Sequence, residues 1–199
     1  MTKRILTALL FCAVTGTAGA AAKVGEPAPD FSGIDTAGKT HSLADFRGQL
    51  VVLEWTNHDC PFVRKHYDAG NMQAQQREAT AQGVVWLSVI SSAPGKQGHV
   101  SAAEADRLTS QRAAAPSAVL LDESGSIGRA YGARTTPHMY LIDRDGTLVY
   151  MGGIDSVPSS SPADIDKARQ HLRVALTEVI QGKPVSEPVT RPYGCSVKY

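Results

Sequence analysis

The sequence predicts an α/β fold in which helices flank a central mixed β-sheet. Two short runs of apolar and β-branched residues, at 50–55 and 84–90, suit buried strands. Residues 61–82 between them favour helix, so the three segments should form a β-α-β unit. The segment 143–146, Asp-Arg-Asp-Gly, is typical of a hairpin turn, and the strands on either side of it should be antiparallel. Parallel and antiparallel neighbours together indicate a mixed sheet.

The remaining elements follow from turn and capping signals. Residues 25–31 contain two prolines and should be extended, and residues 35–38 should form a turn before 39–43. Ser101 and Glu104 have the spacing of a capping box, which predicts a helix to about residue 114. The other predicted elements are a strand at 118–122, a short helical segment ending near 131, strands at 139–142 and 147–151, and a last helix at 161–180.

The first 22 residues have the pattern of a cleavable secretory signal. Lys3 and Arg4 precede an apolar run at 5–14, and small residues follow it. The run is too short to span a bilayer, which needs ~20 residues. Cys12 lies inside the run, behind the bulky Phe11, which disfavours lipid attachment there. We therefore expect a signal peptide at 1–22, export across the inner membrane to the periplasm, and no membrane span.

The rest of the chain is expected to form one domain at 23–182, followed by a tail at 183–199. The 199 residues are 42% hydrophobic and 20% charged, which suits a compact domain with a sizeable core. Loss of the signal changes the formal net charge from +1 to −1, which argues against a nucleic-acid partner. Cys60 and Cys195 then remain, in a compartment that oxidises thiols.

Cys60 is the main candidate for chemistry. It ends a short polar loop after the strand at 50–55, and Pro61 suits the first position of a helix, so Cys60 should be the N-cap. The amides of Phe62 and Val63 and the helix dipole would then favour a thiolate, which is the nucleophilic form. Four nearby residues should add positive potential, and Asp59 should oppose it; the four are His58, Arg64, Lys65 and His66. The competing interpretation is a buried structural cysteine.

Several motifs resemble those of a known family. Gly25-Glu-Pro-Ala-Pro-Asp-Phe31, then Leu43-Ala-Asp-Phe-Arg-Gly48, then a strand and Cys60-Pro61 are similar to the redoxin branch of the thioredoxin superfamily, which includes alkyl hydroperoxide reductases and thiol-specific antioxidant proteins. The segments 57–67 and 192–199 resemble a peroxiredoxin-like subgroup of that family. The resemblance implies a thioredoxin-like fold and a thiol-dependent oxidoreductase. Its substrate would be a peroxide or a disulfide. An external thiol or a redox partner protein would then reduce the oxidised enzyme.

The resemblance also implies a second site segment. Residues 132–138 are similar to the thioredoxin segment in which a cis-proline faces the active cysteine, here Pro137. Thr136 would then offer its backbone to an extended substrate, and His138 would lie near Cys60; a strand-start residue is the alternative for His138. Together with Asn57 and Pro61, these three residues are the predicted substrate-binding set.

Two departures from the family pattern limit the mechanism. A thioredoxin has a second cysteine three residues after the first, and this position is Val63. A peroxiredoxin has threonine three residues before its reactive cysteine, and this position is Asn57. Asn57 could donate a hydrogen bond to a bound oxygen or sulfur, or it could cap the loop.

Cys195 is the candidate second thiol, and three states of it are open. A permanent Cys60–Cys195 bond would be structural, a reversible one would make Cys195 the resolving thiol, and otherwise Cys195 would bond another chain. We favour the reversible bond, because an unresolved thiolate over-oxidises.

Two other functions compete with a redox enzyme that needs no cofactor or metal. His58 and Cys60, with His138 and His66, carry the nitrogen and sulfur ligands that suit copper, which would make a copper-binding module. A scaffold that kept the fold and lost the chemistry is the third hypothesis, and an ordinary pKa at Cys60 would favour it.

Overall fold

A computed structural model describes residues 21–199. The predicted signal peptide lies outside the described residues except for its last two positions, and Cys12 lies outside them entirely. Among the described residues, no helix is long and apolar enough to cross a membrane.

A mixed sheet of seven strands forms the centre of the fold, in the order β2-β1-β5-β4-β3-β7-β8. Strands β3, β4 and β5 are parallel neighbours, while β7 is antiparallel to both β3 and β8. A second sheet has only two strands, β6 and β9, which are antiparallel. The strands are β1 (Ser32–Asp35), β2 (Thr40–Ser42), β3 (Val51–Trp55), β4 (Val85–Ile90), β5 (Ala118–Leu121), β6 (Thr135–Thr136), β7 (His138–Ile142), β8 (Leu148–Gly152) and β9 (Cys195–Ser196).

Five α-helices accompany the sheet within residues 21–199. They are α1 (Pro61–Asp68), α2 (Asn71–Thr80), α3 (Ala102–Gln111), α4 (Ser126–Tyr131) and α5 (His171–Ile180), and short 3-10 helices occur at Leu43–Phe46 and Pro162–Asp164. The predicted α/β class with its mixed sheet and flanking helices is confirmed. The Ser101 cap is present, since its side chain accepts a hydrogen bond from the Glu104 N–H at 3.2 Å.

The helix predicted at 61–82 is wrong as one element. Gly70 has a φ of +72°, a left-handed conformation that ends α1 and starts α2 in a new direction. The structure therefore has two short helices where the sequence pattern indicated one.

The last predicted helix also begins later than expected. Pro162–Asp164 forms one 3-10 turn, and α5 starts only at His171. In between, the Gln170 side chain donates to the carbonyls of Ile165 and Ala168. Ser156 exchanges hydrogen bonds with the backbone of Arg169. These local partners compete with the helical hydrogen bonds that the segment would otherwise make.

The sheet divides the core into two apolar layers. One layer contains Leu53, Trp55 and Tyr140, and the other contains Val52, Met139 and Cys60. Alternate residues of β3 and β7 point into opposite layers, as expected for strands buried on both faces. Cys60 thus belongs to the layer that α1 and α5 cover.

Candidate active site

The loop from β3 to α1 places Cys60 at a helix N-terminus. Cys60 has extended backbone angles (φ −74°, ψ 121°) and is the N-cap of α1, with Pro61 as the first helical residue. Its carbonyl accepts from the N–H groups of Val63 and Arg64 at 3.0 and 2.9 Å. The N-cap at Cys60 and the helix start at Pro61 are both as predicted from the sequence, because helix capping depends on adjacent residues.

The Asn57 side chain holds this loop in place through two hydrogen bonds. Its side-chain oxygen accepts from the Asp59 N–H at 2.9 Å, and its amide donates to the Gln97 carbonyl at 3.3 Å. A side chain at Gly98 would collide with the Asn57 amide, so glycine is needed for this close approach. Both ends of the Asn57 amide are engaged, which agrees with the loop-capping interpretation.

The segment just before β7 packs against Cys60. The Thr136–Pro137 peptide bond is cis. The Cys60 thiol donates to the Thr136 carbonyl, with 3.1 Å between sulfur and oxygen. The Thr136 hydroxyl is buried and has no hydrogen-bond partner of its own.

The C-terminal tail also packs beside Cys60. Cys195 lies in β9, directly opposite Thr136 in the two-stranded sheet. The tail continues along the same edge, where the Val197 N–H donates to the Arg134 carbonyl at 3.0 Å. Cys60 has 0% of its surface exposed, whereas Cys195 is half-buried. Both cysteines are free thiols in this state.

The two thiols have opposite pKa shifts. Burial alone would raise the pKa of Cys60, but its polar contacts with the Cys195 and Thr136 side chains and with the backbone of Cys195 and Val63 lower it overall. Burial, the hydrogen bond to Cys60 and the negative charge of Cys60 raise the pKa of Cys195 to about 11. Cys60 is therefore the more acidic thiol of the pair and Cys195 the less acidic one.

The cationic side chains predicted to activate Cys60 point elsewhere. Lys65 is buried and paired with Asp155 at 3.0 Å, and Arg64 is exposed beside Asp68. Burial lowers the pKa of His66 to about 4, so its ring is neutral near neutral pH. His58 contacts Asp59 at 3.3 Å. The expectation of a cationic field is wrong, since hydrogen bonds account for the lowered pKa of Cys60.

His138 also lies apart from Cys60. Its Nδ1 is 3.1 Å from the Tyr140 hydroxyl, and the two rings pack at 4.5 Å between centroids. Tyr140 belongs to the opposite core layer from Cys60. Burial and the charge of Arg134 lower the pKa of His138 to about 3. These contacts agree with a strand-start residue and place its side chain away from the thiol, contrary to the expectation.

Two buried polar networks near the site were not predicted. Glu54 lies in β3, within a run otherwise made of apolar residues, and accepts from Trp86, Tyr67, Ser88 and Gln76. Burial raises the pKa of Glu54, against the effect of these hydrogen bonds. A lone carboxylate inside an apolar strand was the sequence signal for this network. The second network, around Lys65 and Asp155, links residues 90 positions apart, and no local pattern points to it.

The predicted copper ligands do not converge. Within residues 21–199 there is no group of three or more His, Cys, Asp or Glu side chains that could hold a metal ion. His66, which was one of the proposed ligands, instead lies beside the Tyr193 hydroxyl and the Asn71 amide.

A mixed sheet with flanking helices, a cysteine at a helix N-cap and a facing cis-proline define a thiol-dependent oxidoreductase of the thioredoxin-like fold. The chain belongs to the AhpC/TSA family, whose profile matches residues 24–151. The resemblance inferred from the motifs is thereby confirmed. No curated protein sequence matches the chain.

Solved structures agree with this assignment. An uncharacterized conserved protein from Geobacillus kaustophilus is 25% identical, with a TM-score of 0.78 over 89% of this chain and 92% of that one. A hypothetical protein from Sinorhizobium meliloti 1021 is 25% identical, with a TM-score of 0.75 over 90% and 96%. A Chlorobium tepidum protein assigned as thiol:disulfide interchange protein DsbE is 26% identical, with a TM-score of 0.53 over 66% and 85%.

Proposed function

We propose that the protein catalyses thiol–disulfide exchange through Cys60, with Cys195 as its resolving thiol. The observation that carries the proposal is the placement of the two thiols around Thr136: Cys195 pairs directly opposite Thr136, and the Cys60 thiol lies 3.1 Å from the Thr136 carbonyl oxygen. In this arrangement the pKa of Cys60 is lowered and that of Cys195 is raised. A nucleophile and a protonated partner in contact are what a two-cysteine cycle requires. Cys195 replaces the nearby second cysteine that Val63 removes from the family pattern.

The substrate disulfide is reduced in two steps, and the enzyme is then reduced again. The Cys60 thiolate attacks one sulfur of a substrate disulfide, forms a mixed disulfide and releases the other sulfur as a thiolate, which takes a proton. Cys195 then loses its proton and attacks Cys60, so that the Cys60–Cys195 bond forms and the reduced substrate leaves. An external dithiol restores both cysteines and is itself oxidised to a disulfide.

A polypeptide disulfide is the substrate that best fits the place beside Thr136 that β9 now occupies, which we call the groove. The Thr136 edge already pairs with an extended segment that carries a cysteine, namely β9. A substrate segment that replaced β9 would find the same backbone groups and the same approach to Cys60. Thr136, Pro137 and Pro61 thus remain the residues proposed to contact the substrate. Asn57 is proposed to act by holding the Cys60 loop in place, and His138 by holding the start of β7.

Hydroperoxide reduction is the second candidate, and membership of the AhpC/TSA family favours it. The Cys60 thiolate would attack one peroxide oxygen, which breaks the O–O bond, leaves a sulfenic acid on Cys60 and releases an alcohol or water. Cys195 would then displace water and form the same disulfide. Asn57, which stands where the family has threonine, has both ends of its amide engaged in the loop, so the groove favours the disulfide substrate.

Variants of the two cysteines test the cycle. Cys60→Ser should lose essentially all reaction with a peptide disulfide and with hydrogen peroxide. Cys195→Ser should retain the first step at Cys60 and accumulate a mixed disulfide or, with peroxide, an over-oxidised Cys60. Full activity in Cys60→Ser, or unchanged turnover in Cys195→Ser, would overturn the proposal. A second-order rate constant at Cys60 that is larger for the peptide disulfide than for hydrogen peroxide supports the exchange reaction, and the reverse order supports the peroxidase.

We further propose that the protein acts in the periplasm after removal of residues 1–22. The basic, apolar and small segments in that order support this location. The intact mass of the protein from a periplasmic extract should correspond to a chain beginning near Lys23. A full-length mass in the cytoplasmic fraction would contradict it.

A further inference from the structure

Tyr193 of the tail inserts its hydroxyl into a buried ion pair behind the cysteines. The side chains of Lys65 and Asp155 are both 0% exposed, and the Lys65 ammonium lies 3.0 Å from the Asp155 carboxylate. The Tyr193 hydroxyl donates to the other carboxylate oxygen and accepts from Lys65 at 3.1 Å. The tail therefore contributes one member of a network whose other members belong to the folded domain.

This network is complete only when the tail is in place. The Lys65 ammonium has three N–H donors, and its partners are Asp155, the Val157 carbonyl at 3.0 Å and Tyr193. A buried charge is tolerated when all of its hydrogen bonds are made, and it is costly when one is missing. Removal of the Tyr193 hydroxyl would leave one donor of Lys65 and one acceptor of Asp155 without that partner.

The same contact fixes the tail relative to Cys60. Lys65 belongs to α1, whose N-cap is Cys60. The Phe62 ring, also on α1, packs edge-on against the Tyr193 ring at 5.8 Å between centroids. Tyr193 is two residues before Cys195, so a phenol held on α1 restricts where the second thiol can lie.

We propose that Tyr193 is a positioning residue that holds Cys195 against Cys60 by closing the Lys65–Asp155 pair. The importance of this position for turnover rests on the proposed function, in which Cys195 resolves Cys60. The docking of the tail does not rest on it, and the two claims have separate tests.

The redox test compares Tyr193→Phe with Tyr131→Phe. Tyr131 is also buried, and its hydroxyl makes one hydrogen bond, to the Pro29 carbonyl at 2.7 Å, far along the chain from the tail. In a glutathione buffer, Tyr193→Phe should lower the equilibrium constant for the Cys60–Cys195 disulfide by about tenfold, because two buried groups lose a partner when the tail is docked. Tyr131→Phe should lower thermal stability and leave this constant unchanged. Equal constants for the wild type and Tyr193→Phe would overturn the inference.

The accessibility test works even if no disulfide forms. In a Cys195→Ser background, iodoacetamide can label Cys60, which is fully buried under the docked tail. Addition of Tyr193→Phe should accelerate this labelling by about tenfold, since the tail opens more often. Addition of Tyr131→Phe should not. An unchanged labelling rate with Tyr193→Phe would overturn the inference, whereas a missing wild-type disulfide would overturn only the proposed function.

Discussion

Cys60 and Cys195 carry the same side chain and both adjoin Thr136, but they occupy different kinds of structure. Cys60 ends a loop between a central strand and a helix, in the interior of the domain. Cys195 lies in a two-residue strand of a tail that packs onto the domain from outside. The pKa of the interior cysteine is lowered, and that of the tail cysteine is raised.

The difference shows that the polar contacts of a thiol can outweigh burial and decide which of two thiols is the more acidic. Burial raises the pKa of both cysteines. The contacts of Cys60 with Cys195, Thr136 and the backbone of Val63 outweigh burial and lower its pKa, whereas the contact of Cys195 with Cys60 raises the pKa of Cys195 further. The proposed roles of Cys60 as attacking thiol and Cys195 as resolving thiol agree with the opposite directions of these two pKa shifts.

The largest predicted effect comes from displacing the tail at Gly194. This residue has a φ of +134°, and a Cβ added there would lie 2.0 Å from the Thr136 carbonyl oxygen. Gly194→Ala should therefore separate β9 from Thr136 and slow formation of the Cys60–Cys195 disulfide by about 100-fold, because the two thiols lose their proximity. Stopped-flow oxidation with acid quenching measures this rate.

Gly38→Ala is the matched control for Gly194→Ala. Gly38 has a comparable left-handed conformation, with a φ of +80°, but an added Cβ would have no atom within 4 Å. Its disulfide should form at the wild-type rate. A Gly194→Ala protein that also forms the disulfide at that rate would show that β9 does not hold the thiols together.

A smaller effect is expected on the ionisation of Cys60. Cys195→Ala removes the thiol whose contact lowers the pKa of Cys60, whereas Cys195→Ser leaves a hydroxyl donor in its place. The pKa of Cys60 should therefore be higher in the alanine variant than in the serine variant, so that less thiolate is present at neutral pH. The midpoint of iodoacetamide labelling against pH measures this pKa. Equal midpoints in the two variants would mean that Cys195 does not set the pKa of Cys60.

The smallest effect is expected at Asn57. Asn57→Ala removes the hydrogen bonds to Asp59 and Gln97 and should lower the free energy of unfolding by about 1–3 kcal/mol, measured with urea. Rate constants at Cys60 should change little if Asn57 acts only by holding the loop. A large loss of rate with hydrogen peroxide, at unchanged stability, would restore Asn57 as a substrate contact.

Features set by neighbouring residues could be predicted from the sequence. The apolar runs at 50–55 and 84–90 gave buried strands, and the Cys60-Pro61 pair gave the N-cap. The cis bond at Pro137 was expected from the family resemblance and is present. In each case, a few adjacent residues largely determine the local backbone conformation.

Features that depend on distant partners could not be predicted in this way. Lys65 was expected to add positive potential at Cys60, but the buried Asp155, far along the chain, binds it instead. The break at Gly70 was missed because the longer stretches on both sides of it favour helix, although glycine itself is a helix-stop signal. The pairing of β9 with β6 was also hidden, since two-residue strands have no detectable periodicity.

The central claim is that Cys60 and Cys195 form one reversible redox pair. The most direct test is mass spectrometry of the mature, reduced protein before and after one equivalent of a peptide disulfide, with free thiols blocked under denaturing conditions. We predict two blocked thiols before oxidation, a linked Cys60–Cys195 peptide pair within one chain afterwards, and two blocked thiols again after addition of a dithiol. Two thiols that stay unlinked after oxidation, or a Cys195 found bonded to a second chain, would contradict the account.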